Sequence, residues 1–95
     1  MIAVKISFLS LLKARIGVKE LNLDLEDNAT LNDVFSKLFE KFGGNIKTVL
    51  IKQTGELNDH VVIMLNEKNI RSLDDLKTKV QNKDEITLLP AIAGG

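Results

Sequence analysis

The side chains of this 95-residue sequence include few groups that could carry out catalysis. There is no cysteine, and so no thiol nucleophile, disulfide or thiolate metal site. The one histidine, His60, begins an apolar run and has no evident partner as a general base, so we interpret it as structural or exposed. Asp84 and Glu85 are adjacent in a predicted strand, where neighbouring side chains point to opposite faces. The sequence therefore predicts no catalytic residue of its own and no metal site.

The group best suited to chemistry is the last one in the sequence, which ends in "LLPAIAGG". Gly94 and Gly95 have no Cβ, so this segment can pass through a narrow channel, and the carbonyl carbon of Gly95 is uncrowded. A free carboxylate is a poor electrophile until its oxygen is replaced by a better leaving group. The segment from Ala91 to Gly95 reaches at most about 17 Å, at roughly 3.5 Å per residue. The ending predicts a flexible tail, residues 90–95, that presents a carboxylate to another protein.

Composition limits the remaining possibilities. A hydrophobic fraction of 44% and a charged fraction of 27% are ordinary for one soluble domain, predicted over residues 1–89. Lys5 interrupts the apolar beginning and no cleavage site follows, so we expect a strand rather than a signal peptide, and a cytoplasmic location. The 13 basic and 13 acidic residues cancel, which predicts no nucleic-acid footprint and partner binding that depends weakly on ionic strength. The sequence has no apolar run of about 18 residues, so no membrane span is predicted.

Alternation of apolar and other residues predicts two strands at the start of the chain, from Ile2 to Phe8 and from Leu21 to Leu25. A moderately long loop that ends on Gly17 joins them into a hairpin. Further strands are predicted at residues 48–52 and 60–66, the second apolar at consecutive positions as an interior strand covered on both faces would be.

A longer segment with apolar residues at spacings of three and four predicts the main helix, beginning at Leu31 and ending near Phe42. Thr30 and Asp33 resemble a capping box, and Gly43 with Gly44 suits a left-handed end. Residues 72–80 predict a short helical turn. Asp84 to Pro90 is the last strand, which ends at proline because proline cannot donate to the ladder.

Together these elements predict an α+β fold, a mixed four- to five-stranded sheet with one main helix packed across one face. Either Leu88 or Leu89 should face outward, because neighbouring residues of a strand alternate. The predicted partner-binding patch around the tail comprises Leu89, Ile92 and Phe8.

The sequence resembles the MoaD/ThiS-type sulfur carriers of the ubiquitin-like β-grasp superfamily over nearly its whole length. The first hairpin, the helix "ATLNDVFSKLFEKFG" and the ending "VQNKDEITLLPAIAGG" carry the resemblance. The ending is similar to D-G-D-E-V followed by P-P-V-x-G-G. It departs from that pattern at Lys83, which replaces the turn glycine, and at Ala91, which replaces the second proline; Glu67 and Lys68 replace Gly-Arg in "V-N-G-R".

The resemblance implies that a MoeB-type, E1-like activating enzyme uses ATP and magnesium to adenylate Gly95, which then becomes a thiocarboxylate. The ending most resembles that of the small subunit of molybdopterin synthase, whose large subunit, of the MoaE type, is then an expected partner in a hetero-oligomer. The alternatives are a ubiquitin-like modifier joined to lysines, a sulfur carrier for tRNA thiolation, and a non-conjugating β-grasp interaction domain. The residues expected to enter the partner are Pro90, Ala91, Ile92, Ala93 and Gly94.

Overall fold

The computed structural model describes residues 1–90, which begin with an antiparallel strand pair, as predicted. Strand β1 (Ile2–Phe8) pairs with β2 (Glu20–Leu25) in a register that sets Ile2 opposite Leu25. The connection, which we predicted as a loop, contains a short helix α1 (Leu11–Ile16). Helix α1 ends at Gly17, whose φ of 88° is left-handed and whose N–H donates to the Lys13 carbonyl at 2.9 Å. Glycine suits this position because it has no Cβ to oppose positive φ.

Helix α2 (Leu31–Phe42) is the predicted main helix. The capping box is present: the Thr30 N–H donates to Asp33 Oδ2 at 2.8 Å, and the Thr30 side chain accepts from the Asp33 backbone. Reciprocal capping satisfies two donors that a helix start otherwise leaves unpaired. The apolar stripe of α2 faces inward, with Val34, Phe35 and Leu38 buried.

A further helix, α3 (Gly44–Leu50), follows α2 where we predicted a strand over residues 48–52, and that prediction is wrong. Helix α3 begins directly after Gly43, whose φ of 73° and ψ of −153° are not the predicted left-handed stop. Ile46, Val49 and Leu50 are buried at spacings of three and four, so the helical period decides the structure. The β-branched residues alone had favoured a strand.

The last three strands complete a mixed sheet, which has five strands within residues 1–90. They are β3 (Val61–Leu65), β4 (Lys68–Asn69) and β5 (Glu85–Pro90). The order is β2-β1-β5-β3-β4, with β1 and β5 parallel and the other pairs antiparallel. The predicted turn after β4 is two 3₁₀ turns, Ile70–Ser72 and Asp75–Lys77. The predicted α+β class, with the main helix against a mixed sheet, is confirmed.

The core lies between the inner face of the sheet and the helices. Strands β1 and β5 contribute Ile6, Phe8, Ile86 and Leu88, each at most 1% exposed. No polar side chain is buried in the part of the chain that the structure describes. None of its helices is long and apolar enough to cross a membrane. On the opposite face of the sheet, which we call the outer face, β3 and β5 have no fully buried side chain. The candidate site lies on this face.

Candidate interaction site at the end of strand β5

Strand β5 leads into the predicted tail from the middle of the sheet, with β1 on one side and β3 on the other. Its last residue, Pro90, is half-buried and pairs with Val61. The tail positions beyond it lie outside the described residues, including the predicted chemical site; they are Ala91, Ile92, Ala93, Gly94 and Gly95. Because two ladders hold β5, the point at which the tail begins is fixed by the fold.

Leu88 and Leu89 lie on opposite faces of β5. Leu88 is fully buried on the inner face, in register with Phe8 and Ile63. Leu89 is half-buried on the outer face, directly opposite Val62. Leu89 is therefore the outward-facing member of the pair, and it remains a candidate for partner contact.

Phe8 is not available for that contact, and the prediction that it belongs to a partner-binding patch is wrong. Its side chain is 1% exposed and meets the ring of Phe42 edge-on, with ring centroids 6.2 Å apart. The even-numbered residues of β1 face the core, so the side chain of Phe8 points inward. Its role is to pack β1 against the end of α2.

A different set of apolar residues surrounds the tail position. Val62 and Met64 are half-buried on the outer face of β3, beside Leu89. Leu9, 41% exposed, follows β1 and its N–H donates to the Leu88 carbonyl at 3.0 Å. We call Leu9, Val62, Met64 and Leu89 the tail-root patch. These four apolar residues are all at least partly exposed and lie near the end of β5.

Sequence reasoning missed the β3 half of the tail-root patch. The run at residues 60–66 was interpreted as a strand covered on both faces, whereas its burial alternates: Val61, Ile63 and Leu65 are buried, and the two residues between them are half-buried. A period of two within an all-apolar run cannot be seen from hydrophobicity. The register with β5 is needed to identify the outward-facing pair.

Another part of the outer face is charged. Lys5 Nζ lies 2.9 Å from Glu85 Oε1 and 4.0 Å from Glu20 Oε2, so β1 bridges β5 and β2. The hydrogen bond to Glu85 raises the pKa of Lys5 above its ordinary value, and the charges of Glu85 and Glu20 add to the effect. The outer face thus carries a charged cluster of Lys5, Glu20 and Glu85, and apolar residues at Val62, Met64 and Leu89.

Two further titratable residues make local structural contacts. His60 is exposed, and its backbone N–H donates to Asn58 Oδ1 at 2.9 Å. Asp84 accepts hydrogen bonds from the Gln81 N–H at 2.8 Å and from Asn66 Nδ2 at 3.2 Å, so it closes the turn before β5. Within residues 1–90 no group of three His, Cys, Asp or Glu side chains could hold a metal ion.

A mixed sheet with one main helix across its inner face, and with its last strand central, defines a ubiquitin-like β-grasp protein. The family model named ThiS family matches residues 6–95. The chain belongs to the ThiS family.

Similar proteins add detail. A protein of Archaeoglobus fulgidus named as a candidate sulfur carrier is 33% identical over 84 residues, which cover 88% of this chain and 93% of that protein. The solution structure of small archaeal modifier protein 1 from Methanosarcina acetivorans has a TM-score of 0.79 and 31% identity, and the match covers 100% of this chain and 98% of that one.

A second similar structure comes from the Amycolatopsis orientalis BexX/CysO complex, with a TM-score of 0.76 and 26% identity. That match covers 97% of this chain and 99% of that chain. The likenesses are to proteins named as sulfur carriers and as modifiers, one of them solved in a complex with another protein. Sulfur carriers and small archaeal modifier proteins are thus among the proteins that this chain is similar to.

Proposed function

We propose that this protein is a sulfur carrier whose reacting group is the carboxyl group of Gly95. An E1-like activating enzyme joins that carboxylate to the α-phosphate of ATP, with magnesium, and releases pyrophosphate. A sulfur donor then attacks the acyl-adenylate, AMP leaves, and Gly95 holds a thiocarboxylate. The observation that carries the proposal is the family match, which continues through β5 to residue 95.

The proposal divides the work between two proteins. The β-grasp domain contributes recognition and holds β5 so that the tail leaves from one fixed point, whereas the activating enzyme supplies the catalytic groups. We propose that the tail-root patch docks on the partner while residues from Ala91 to Gly94 occupy its channel and Pro90 stays paired with Val61, because Leu89 and Val62 lie beside the point of departure.

For the destination of the sulfur, we propose molybdopterin, with the protein acting as the small, non-catalytic subunit of molybdopterin synthase. The resemblance of Pro90-Ala-Ile-Ala-Gly-Gly to P-P-V-x-G-G supports this assignment. The partners would be a MoeB-type activating enzyme and a MoaE-type large subunit. The large subunit would take in the thiocarboxylate and transfer its sulfur to the dithiolene precursor.

A second candidate function is protein modification, with sulfur transfer to tRNA as a related possibility. The likeness to the Methanosarcina acetivorans modifier supports it. Protein modification and sulfur transfer can use the same tail, because a lysine amine can attack the same activated carbonyl of Gly95 and displace AMP. In that case an isopeptide bond to the target protein replaces the thiocarboxylate.

The proposed chemistry is tested by mass. Incubation with the E1-like enzyme of the same organism, ATP, magnesium and a sulfide source should raise the mass by about 16 Da, because one oxygen is replaced by sulfur. A variant lacking Gly94 and Gly95 is the control, and it should stay unmodified while melting at the same temperature as the full chain. A full chain that stays unmodified, with an enzyme that is active on a known carrier, refutes the sulfur-carrier proposal.

The two destinations are separated by giving the thiocarboxylated protein each acceptor. Conversion of the dithiolene precursor by a MoaE-type subunit supports the molybdopterin assignment. A ladder of covalent conjugates in cell lysate, absent when Gly94 and Gly95 are deleted, supports protein modification. Neither product from a fully thiocarboxylated sample refutes both assignments and leaves the carrier chemistry intact.

A further inference from the structure

The charges of this protein cancel overall, but they are segregated along the chain. Residues 1–19 contain four basic side chains and no acidic one, whereas residues 20–36 contain five acidic side chains and no basic one. A sum over the whole sequence hides this division. Whether it produces an electric dipole depends on where the fold places the two segments.

The fold places the basic segment at the end of the sheet from which the tail leaves. Strands β1 and β5 are parallel with Phe8 opposite Leu88, so the residues that follow β1 lie near Pro90. Two backbone hydrogen bonds fix this arrangement, from the Leu9 N–H to the Leu88 carbonyl at 3.0 Å and from the Phe8 N–H to the Lys19 carbonyl at 2.8 Å. We call Lys13, Arg15 and Lys19, all exposed, the basic end.

The basic end is uncompensated within the described residues. Among the ion pairs of residues 1–90, Lys5, Lys52 and Arg71 have acidic partners, whereas no pair involves the three cations of the basic end. Lys13 and Lys19 border an open depression beside Gly17. An acidic side chain of another protein would therefore meet cations with no competing carboxylate within 4.0 Å.

Four of the five acidic residues lie toward the opposite end of the sheet, whereas Glu20 lies beside Lys19 and pairs with Ser7. Asp24 pairs with Ala3 near the start of β1, Glu26 and Asp27 follow β2, and Asp33 caps α2. Strand β1 has seven residues, and at about 3.3 Å per residue it separates the two ends by roughly 20 Å. Lys79, which bridges to Thr30, and Lys83, whose N–H donates to the Ala3 carbonyl, also lie toward the end that holds those four acidic residues, so the charges do not form a simple dipole. The feature that remains is the cluster of three cations beside the end of β5.

We propose that the basic end docks on an acidic surface of the protein that receives the tail. This inference rests on the proposed function and names the chemistry of its partner. The segment from Ala91 to Gly95 spans at most about 17 Å, so a protein that takes in Gly95 must approach this end of the domain. An acidic rim around its channel attracts the basic end before contact. Binding should therefore weaken as salt is raised, in contrast to the weak salt dependence expected from the net charge.

The test compares two double charge reversals that change the net charge equally. Lys13→Glu with Lys19→Glu alters the basic end, and Lys77→Glu with Lys79→Glu alters exposed lysines near the start of α2, where Thr30 bridges to Lys79. The assay is ATP–pyrophosphate exchange by the purified E1-like enzyme of the same organism, at about 30 mM and about 500 mM KCl. Circular dichroism checks that both variants fold.

The basic-end variant should lower kcat/KM at low salt by about tenfold or more, through a raised KM, while kcat at saturation is unchanged. The variant with Lys77→Glu and Lys79→Glu should change kcat/KM by less than about twofold. The difference in kcat/KM between the two variants should shrink at high salt. If the wild-type protein is activated and the two variants have equal kcat/KM, the inference is overturned and the carrier function stands. No activation of wild-type protein by an enzyme active on another carrier would overturn the function, and the inference with it.

Two other occupants of the basic end give different results. If it binds RNA, the basic-end variant loses affinity for bulk tRNA while its activation is unchanged. If it binds a second copy, sedimentation shows self-association of wild-type protein that is lost both in the basic-end variant and on Glu26→Lys, again with activation unchanged. Either result would overturn the docking proposal.

Discussion

Leu88 and Leu89 form a matched pair with which to separate stability from recognition. They have the same side chain, are adjacent on β5, and differ in the face they occupy: Leu88 is fully buried in the core and Leu89 is half-buried beside Val62. Truncation of each to alanine removes the same atoms. Any difference between the two variants therefore reports the environment of the side chain.

The expected costs follow from burial. Leu88→Ala leaves a cavity between β5 and the helices, so we expect a loss of about 3–5 kcal/mol in the free energy of unfolding. Leu89→Ala removes a side chain that is only half out of water and leaves no enclosed cavity, so we expect about 1 kcal/mol. In a domain of this size 1 kcal/mol corresponds to about 4–8 °C. Leu88→Ala should thus lower Tm by at least about 12 °C, and Leu89→Ala by less than about 8 °C.

Partner binding should show the opposite order. If Leu89 is a central contact of the tail-root patch, its truncation should weaken binding to the activating enzyme by about 2 kcal/mol, roughly 30-fold in Kd. Leu88→Ala should bind with a Kd close to that of the wild type at a temperature where it is fully folded. Urea or thermal unfolding followed by circular dichroism gives the stabilities, and isothermal titration calorimetry gives the affinities.

The reasoning is refuted by either of two results. Equal losses of Tm in the two variants would mean that the face assignment of β5 is wrong. A Leu89→Ala variant that binds like the wild type would place the contact surface elsewhere. Val62 lies opposite Leu89 on the same face. Val62→Ala is the control for this second case, because a contact over the whole tail-root patch requires both variants to lose affinity.

Three further predictions concern the fold. Phe35→Ala should lower the free energy of unfolding by about 3–5 kcal/mol in urea titrations, because Phe35 is 2% exposed beneath the sheet; a cost below about 1 kcal/mol would contradict its core position. Thr30→Ala should cost about 1 kcal/mol by the same measurement through loss of the capping box, and no cost would show that Asp33 caps α2 alone. The pKa of Asp59 should lie below its ordinary value in an NMR titration, because Lys52 Nζ lies 2.9 Å from its carboxylate, and Lys52→Ala should raise it. Since the folded-state pKa of Asp59 is the lower one, its stabilising contribution should be present near neutral pH and lost as the pH falls through the acid range; an unshifted titration contradicts the pair.

Elements with one clear period could be predicted from the sequence. Strand β1, strand β2 and helix α2 each repeat apolar residues at the spacing of one structure, so their local and tertiary preferences agree. Helix α3 was mistaken for a strand because Thr48, Val49 and Ile51 favour strands locally, while Ile46 and Leu50 complete a helical face. Tertiary burial decided between the two.

The candidate site required the sheet topology. Leu89 could be identified as one of two possible outward residues, but Val62 and Met64 join it only because β3 pairs with β5. The basic segment was visible in the sequence, yet its position beside Pro90 follows from the parallel pairing of β1 and β5. Pairings between segments some 80 residues apart have no local signal.

The central position of β5 also links display of the tail to completion of folding. Strand β5 hydrogen-bonds to both β1 and β3, so the middle of the sheet stays open until β5 joins it. Such distant pairing closes late, since the entropy of a long loop must be overcome before its contacts form. A partly folded chain has neither the tail-root patch assembled nor its tail departing from a fixed point. An activating enzyme that recognises both would therefore select fully folded molecules without a separate proofreading step.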